Sequence, residues 1–310
     1  MIKHLLPDQI DYEKWDRCIN SSFNGNIYSL SWFLNIAHPE WEALVEDDYI
    51  RVMPLPVSKK YGITYMMQPF FIQQLGVFSI SKLFPKKTEE FLNAIPSRIK
   101  YFDFNLNVYN KIEDSTFNLK KNKNHILDLV SNHDKTKSDY SKNTKRNLKK
   151  AEKSQLQVLK NIKPQDLINL FKENKGKDLS VFNDHDYKTL ERLIYMAIYR
   201  GLGIIYGVYT TNNQLCAAAF FTRHNKRLIF LFSGSTSISK ENGAMFHLID
   251  TVIKENSPSQ ITLDFEGSNN ENLARFYKGF GSKEVNYNGI SLNKLIFPLN
   301  KILNYYLKRK

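Results

Sequence analysis

Runs in which apolar and polar residues alternate are separated along this chain by stretches where apolar residues recur every three or four positions, the pattern of strands interleaved with amphipathic helices. The second half gives the cleaner reading. A short strand is expected at Leu156 to Lys160, followed by a helix opened by Pro164 with Leu167, Leu170 and Phe171 on one face. From Asp186 a further helix carries Leu190, Leu193, Ile194, Ala197 and Ile198 at helical spacing and stops at Gly201. Gly203 to Tyr209, Gln214 to Thr222 and Arg227 to Phe232 read as strands. Thr211-Asn212-Asn213 and His224-Asn225-Lys226 supply turn chemistry between them, which predicts an antiparallel meander. Ser239 is the expected cap of a helix whose apolar face is Met245, Leu248, Ile249, Val252 and Ile253. In the next strand Ile261, Leu263 and Phe265 alternate with Thr262, Asp264 and Glu266, so carboxylates arrive at its carboxyl end, where α/β sheets collect ligands. A helix from about Asn270 to Phe280 and strands around Val285 and from Leu292 to Phe297 complete the half.

The first half repeats this order in degenerate form. Asp11 to Ser22 and Ser29 to Ala37 read as helices, Trp41 to Val45, Arg51 to Val57 and Thr64 to Met67 as strands, Lys86 to Ala94 as a helix and Tyr101 to Leu106 as a strand. Two helices, a meander, a helix and a strand thus recur, which predicts a duplication. No long Gly/Ser or Pro linker divides the halves, and the lysine-rich run near Lys121 to Lys145 is the boundary candidate. The expected domains are residues 1–130 and 131–310, the second carrying a basic helix at 141–154.

Composition narrows the class. A chain of 310 residues and 36.3 kDa, 42% hydrophobic and 24% charged, is that of a globular protein with ample core. Its apolar clusters at Leu215 to Phe221 and Leu228 to Phe232 are too short to cross a bilayer. The amino-terminal stretch has no apolar core of signal-peptide length before Pro7 and Asp8, so a cytoplasmic location is expected. Cys18 and Cys216 fall in a predicted helix and strand, which reads as two buried thiols, and the seven histidines include no helical metal spacing, so no metal site is expected. The net charge is +13. It is clustered: Ser131 to Lys160 holds nine bases against three acids, and Lys308-Arg309-Lys310 closes the chain. Such patches attract polyanions in a salt-dependent way, although lysine-rich composition also serves solubility alone. Ile302, Tyr305, Tyr306 and Leu307 beside that last cluster leave peripheral membrane contact open, against a docked terminal helix.

The order of elements in the second half is the topology of the GNAT-type acyltransferase domain. The expected fold class is therefore α/β with a mixed sheet, in two tandem GNAT-like (acyl-CoA N-acyltransferase) domains, the first degenerate. Three stretches sharpen this: H-I-L-D-L followed by Y-S-K-N-T-K-R-N-L-K-K-A-E-K, the strand end D-F-E-G-S, and the helix A-R-F-Y-K-G-F-G. Together they resemble the FemAB-like family of peptidoglycan-bridge aminoacyltransferases, over about Asn124 to Leu295 and in the first half by architecture alone. The resemblance implies transfer of an aminoacyl group from aminoacyl-tRNA to an amine of a peptidoglycan precursor, with no tightly bound cofactor and aminoacyl-tRNA or acyl-CoA as co-substrate. The competing readings are an acyl-CoA-dependent N-acyltransferase acting on a sugar or peptide amine, and a non-catalytic polyanion-binding module; oligomeric state is not legible.

Candidate residues follow. Lys142, Lys145, Lys149 and Lys153 form one face of the basic helix, with Arg146 and Lys150 beside them and Ser141 or Asn143 as cap. A solvated helix is the plain reading; the resemblance implies that Lys145 and Arg146 contact phosphates, of a nucleotide-linked precursor or of tRNA. Asn242, Gly243 and Ala244 lie where GNAT enzymes place the loop that binds the coenzyme A pyrophosphate, but only Gly243 and Ala244 fit that motif. Tyr277 precedes Gly281 by the offset of the GNAT tyrosine that protonates a departing thiolate. Lys278 matches the lysine that the resemblance places at the reaction centre, where a cation steadies an oxyanion or the leaving oxygen. From pattern alone these two also read as a packing aromatic and a surface lysine. Glu266 is the candidate general base, and Asp264 reads as an acceptor of local hydrogen bonds. The amide-rich stretch at Gln68 reads either as the wall of a substrate cleft or as a packed crossover filled by Phe70 and Phe71.

Overall fold

The computed structural model describes residues 1–113, 116–174, 176, 182–267, 269–296 and 298–300. The terminal cluster from Ile302 to Lys310, with its expected membrane contact, and Phe297 at the expected strand end lie outside the described residues. The chain separates into two compact units, one formed by Met1–Asn122 together with the residues from Asn286 onward, the other by Lys123–Val285.

In the first unit β1 (Ile2–Leu5), β2 (Glu42–Glu46), β3 (Arg51–Leu55) and β6 (Phe78–Ser79) form one sheet in the order β1-β2-β3-β6. A second sheet takes β4 (Val57–Lys60), β5 (Ile63–Met67), β7 (Ile99–Asn105) and the Gly289–Asn293 end of β14 (Lys283–Asn293). The helices are α1 (Tyr12–Ser21), α2 (Ser31–Ala37) and α3 (Pro85–Asn93). The Asp11 carboxylate caps α1 by accepting from the N–H groups of Glu13 and Lys14. Trp15 and Trp41, both wholly buried with ring centroids 4.6 Å apart, anchor the core beside Phe33, Phe78, Phe91 and Phe104. The strand expected over Arg51 to Val57 is two strands in two sheets, because Pro56 has no N–H to continue the ladder. Neither β1 nor β6 is legible in the sequence: both are too short to show a period.

The second unit follows the expected order closely. It contains the Lys123–Asp128 part of β8 (Asn118–Asp128), then α4 (His133–Ser138), α5 (Lys142–Lys153), β9 (Gln157–Lys160), α6 (Pro164–Glu173) and α7 (Asp184–Tyr199). The meander β10 (Gly203–Tyr209), β11 (Leu215–His224) and β12 (Arg227–Ser235) comes next, then α8 (Ser237–Asn242), α9 (Ala244–Glu255), β13 (Thr262–Gly267) and α10 (Glu271–Lys278). Strand order is β8-β13-β12-β11-β10-β9, with only β12 and β13 parallel. Phe221, Phe230, Phe265, Tyr277 and Phe280 pack with Leu248, Ile249, Val252 and Ile253 into one core. Each such buried side chain contributes about 1.5–3 kcal/mol.

Three local expectations are corrected. The helix expected from Ser239 is two helices. Thr236 caps the first by accepting from the Ser239 N–H, and Gly243, at φ +76°, turns the chain into the second. The strands around Val285 and Leu292 are one strand, β14. Residues 118–128, at the head of the lysine-rich run, form β8. His125 and Leu127 on it, and Leu129 just past its end, are buried, which the lysines at its start obscure in the sequence.

Candidate active site

Two irregularities prepare the surface on which the motif residues sit. The parallel register of β12 and β13 covers only Arg227–Ile229 against Thr262–Asp264; beyond it the strands part, while β12 stays paired with β11 as far as Ser235. Within β12, Leu231 is the extra residue of a bulge, since Phe230 and Phe232 oppose consecutive residues Phe221 and Phe220. The parallel pairing of β12 with β13 thus ends at Ile229, and the two strands splay beyond it. In β13 the register breaks between Asp264 and Gly267, and Glu266 takes φ +58°. That turns the last carboxylate of the strand out of the alternation seen in the sequence.

Asp264 is a structural acid. It is 2% exposed, accepts from Arg227 at 2.8 Å and from the Glu266 N–H at 2.8 Å, and so fixes the bulge. Asp264→Ala leaves Arg227 without its counter-charge; a loss of about 3 kcal/mol is expected, checked by the denaturant midpoint. An unchanged midpoint would show that the pair is dispensable to the fold.

Tyr277 is 6% exposed and stacks on Phe265 at 4.9 Å and 23°. Phe230 meets its ring edge-on at 6.3 Å. Burial, reinforced by the carboxylates of Glu266 and Asp264, pushes its phenol well above its ordinary value. The group is thus a neutral donor held beside the acidic end of β13. Lys278, half-exposed at the end of α10, donates to Glu284 at 2.8 Å and holds that carboxyl below its usual range. With Lys123, Asn269, Glu271, Ala274 and Arg275 it lines a cleft of about 280 Å³.

His125 completes the group, and the sequence reading missed it. The ring is wholly buried, its centroid lies 5.9 Å from that of Tyr277, and neither ring nitrogen has a hydrogen-bond partner among the described residues. Burial first, then the nearby Lys278 ammonium, lowers its proton affinity, so the imidazole is neutral at pH 7. An unpaired polar group of this kind costs about 1–3 kcal/mol. The available signal was its place in the inward series His125, Leu127, Leu129, a polar residue where the period calls for an apolar one.

The basic helix lies against this cluster. α5 buries Thr144, Asn147 and Ala151 and leaves Lys142, Lys145, Arg146, Lys149, Lys150 and Lys153 exposed. Ser141 caps it through the Thr144 N–H, and the Ser141 N–H in turn donates to the Gly279 carbonyl at 2.9 Å. Gly279 has no room for a side chain: a Cβ would stand 2.5 Å from Thr144 Oγ1. The start of α5 and the end of α10 are thereby stitched together. Lys145 donates to the Ser138 carbonyl and Arg146 to Asn143 Oδ1, both from exposed positions.

The turn at Asn242, Gly243 and Ala244 is not an open cradle. A Cβ on Gly243 would fall onto the Asn147 carbonyl oxygen, so the backbone of α5 fills the space beside the turn. The Ala244 N–H, at the start of α9, already donates to Asn242 Oδ1 at 3.0 Å, and Ala244 is wholly buried. Gln68 belongs to the first unit, where its amide donates to the Ile72 carbonyl and accepts from the Asn105 N–H. Tyr277, Lys278, Glu266, Lys142, Lys145 and Arg146 all belong to the second unit.

No family model matches the chain, and no curated protein matches it. Solved structures do. FemX superposes with a TM-score of 0.68 at 12% identity, covering 99% of this chain and 100% of its own. L-PGS from Bacillus licheniformis follows with a TM-score of 0.55 at 12% identity, covering 97% of both chains. A tandem GNAT protein from the clavulanic acid biosynthesis pathway gives 0.50 at 9% identity, covering 96% of this chain and 99% of its own. Among the described residues no helix is long and apolar enough to cross a membrane. The chain therefore has the mixed α/β, tandem GNAT-like fold of FemX, and the FemAB-like resemblance read from its motifs holds at the level of that fold.

Proposed function

We propose that this protein is an acyltransferase of the FemAB kind, moving an aminoacyl group from aminoacyl-tRNA to an amine of a peptidoglycan precursor. In this reading the neutral amine attacks the ester carbonyl carbon and Glu266 takes the proton released from nitrogen. The carbon–oxygen bond breaks as Tyr277 protonates the leaving ribose oxygen, and Glu266 then returns a proton to the phenolate. Lys278 steadies the negative charge between these steps.

The choice of donor rests on the filled turn at Gly243. A coenzyme A pyrophosphate needs free N–H groups at the start of α9, and there the Ala244 N–H is engaged and α5 occupies the adjoining space. A tRNA-linked donor makes no such demand, and the exposed bases of α5 suit a polyanion.

Incubating the protein with a nucleotide-linked muropeptide and either aminoacyl-tRNA or acyl-CoA, with products read by mass, tests this directly. Transfer from aminoacyl-tRNA alone is expected. Tight coenzyme A binding without salt-dependent tRNA binding would reverse the choice of donor. Replacing Lys145 and Arg146 together by alanine should weaken tRNA binding about 10-fold and flatten the plot of log affinity against log salt by roughly 1.5, the loss of two phosphate contacts. An unchanged slope would remove α5 from the tRNA-binding surface. Binding that depends on these residues, with no transfer from either donor, would favour a polyanion-binding module instead.

A further inference from the structure

His125 is the polar group that the fold leaves least provided for near Tyr277. It lies in β8 opposite the irregular end of β13, where Asn124 pairs with Gly267 and Ile126 with Asp264. Its backbone N–H is satisfied by Asn124 Oδ1 at 2.8 Å, yet both ring nitrogens are buried without a partner among the described residues. Native interiors rarely keep such groups unless a ligand, a water or a second conformation completes them. Tyr277 is the aromatic ring in contact with it; Lys278, Lys123 and Glu284 are the charged groups facing it from α10, β8 and β14.

We infer that His125 is a positioning residue for the transfer, one that acts through Tyr277 by donating a ring N–H to the phenol oxygen as that oxygen gives up its proton. The inference rests on the acyl-transfer reading of the site. Its chemistry is balanced without any added reagent. The Tyr277 proton goes to the leaving oxygen, the proton lost by the amine returns through Glu266 to the phenolate, and His125 keeps its own proton throughout. A turn of the imidazole toward the phenol is needed, from rings whose centroids stand 5.9 Å and whose planes stand 51° apart. A neutral ring is suited to this role: it supplies a donor without adding a third cation beside Lys278 and Lys123. Lys278 is half-exposed and paired with Glu284, whereas the His125 ring is wholly buried, where a hydrogen bond to the phenolate is strongest.

The test is a double-mutant cycle in the transfer assay, with thermal unfolding measured on every variant. His125→Phe keeps the ring packing and removes the donor; kcat should fall about 100-fold with KM within about 2-fold, as when one donor to a developing anion is lost. His125→Asn, which restores an N–H, should recover much of that loss. In a Tyr277→Phe background, His125→Phe should cost nothing more, since its partner oxygen is gone. Should His125→Phe destabilise the fold, the Asn variant and its dependence on Tyr277 decide the matter. Equal turnover in wild type and His125→Phe, or a full additional loss in the Tyr277→Phe background, would make His125 a packing residue and overturn the inference while leaving the transfer reading intact. Absence of transfer by the wild-type protein from either donor would overturn the transfer reading and this inference with it.

Discussion

Tyr277→Phe is expected to lower kcat for transfer by about 100- to 1,000-fold, the range for loss of a positioned general acid, with KM changed by less than about 3-fold. The substitution keeps the ring that stacks on Phe265 and meets Phe230, so the core should stay intact and the circular dichroism spectrum should not move. Only the hydroxyl is lost. That hydroxyl is held protonated by burial and by the Glu266 and Asp264 carboxylates, above its ordinary value of 10.0. The sign is therefore fixed: loss of this proton should not cause a decline in rate on the alkaline side below about pH 10, the ordinary tyrosine value. Steady-state kinetics over that range would check both points. Turnover equal to wild type would make Tyr277 a core aromatic and nothing more. Lys278→Ala is the natural companion, because it removes the charge at the site's rim without touching the buried stack.

Gly243→Ala should be among the most damaging single substitutions in the second unit. Two costs coincide there. A side chain at φ +76° is strained, and its Cβ would be driven onto the Asn147 carbonyl, a backbone atom that cannot swing aside. A destabilisation of about 2–4 kcal/mol is expected from the two together, read as a shift of the urea midpoint of the purified protein. Gly62→Ala is the matched control, at φ +77° with nothing within 4 Å of the added carbon. If the two variants lose the same stability, backbone strain alone accounts for the effect, and α5 does not press on the turn.

Much of the second unit was legible because its elements are long and its periods clean: β10 falls on Gly203 to Tyr209, as its alternation predicts, and α6 opens at Pro164. What escaped has specific causes. A left-handed glycine divides one apolar-periodic stretch into α8 and α9, and nothing in the period records a change of backbone direction. β8 hides because its first half is a charge run with Lys120, Lys121 and Lys123 exposed, so that buried His125 and Leu127 look like interruptions of a loop. At the site, Tyr277 could be singled out by its spacing to Gly281, and Lys278 by the family resemblance of the helix that carries it. His125 could not be, because its significance comes from a missing hydrogen bond, a property of three dimensions. The closed state of the Gly243 turn is likewise invisible in its residues, since it is made by the backbone of Asn147, nearly a hundred positions earlier in the chain.

The stitch at Gly279 has a consequence for how this protein can vary. Ser141 and Thr144 crowd the Gly279 backbone so closely that α5 and α10, distant in sequence, cannot drift independently. A side chain at 279 would require a smaller residue at 144 and a shift of the Phe276 carbonyl, which stands 3.0 Å from the same Cβ position. Descendants of this chain should therefore keep Gly279, or change it only together with position 144, and an α5 taken from another lineage should bring a residue at 144 that leaves this glycine its room.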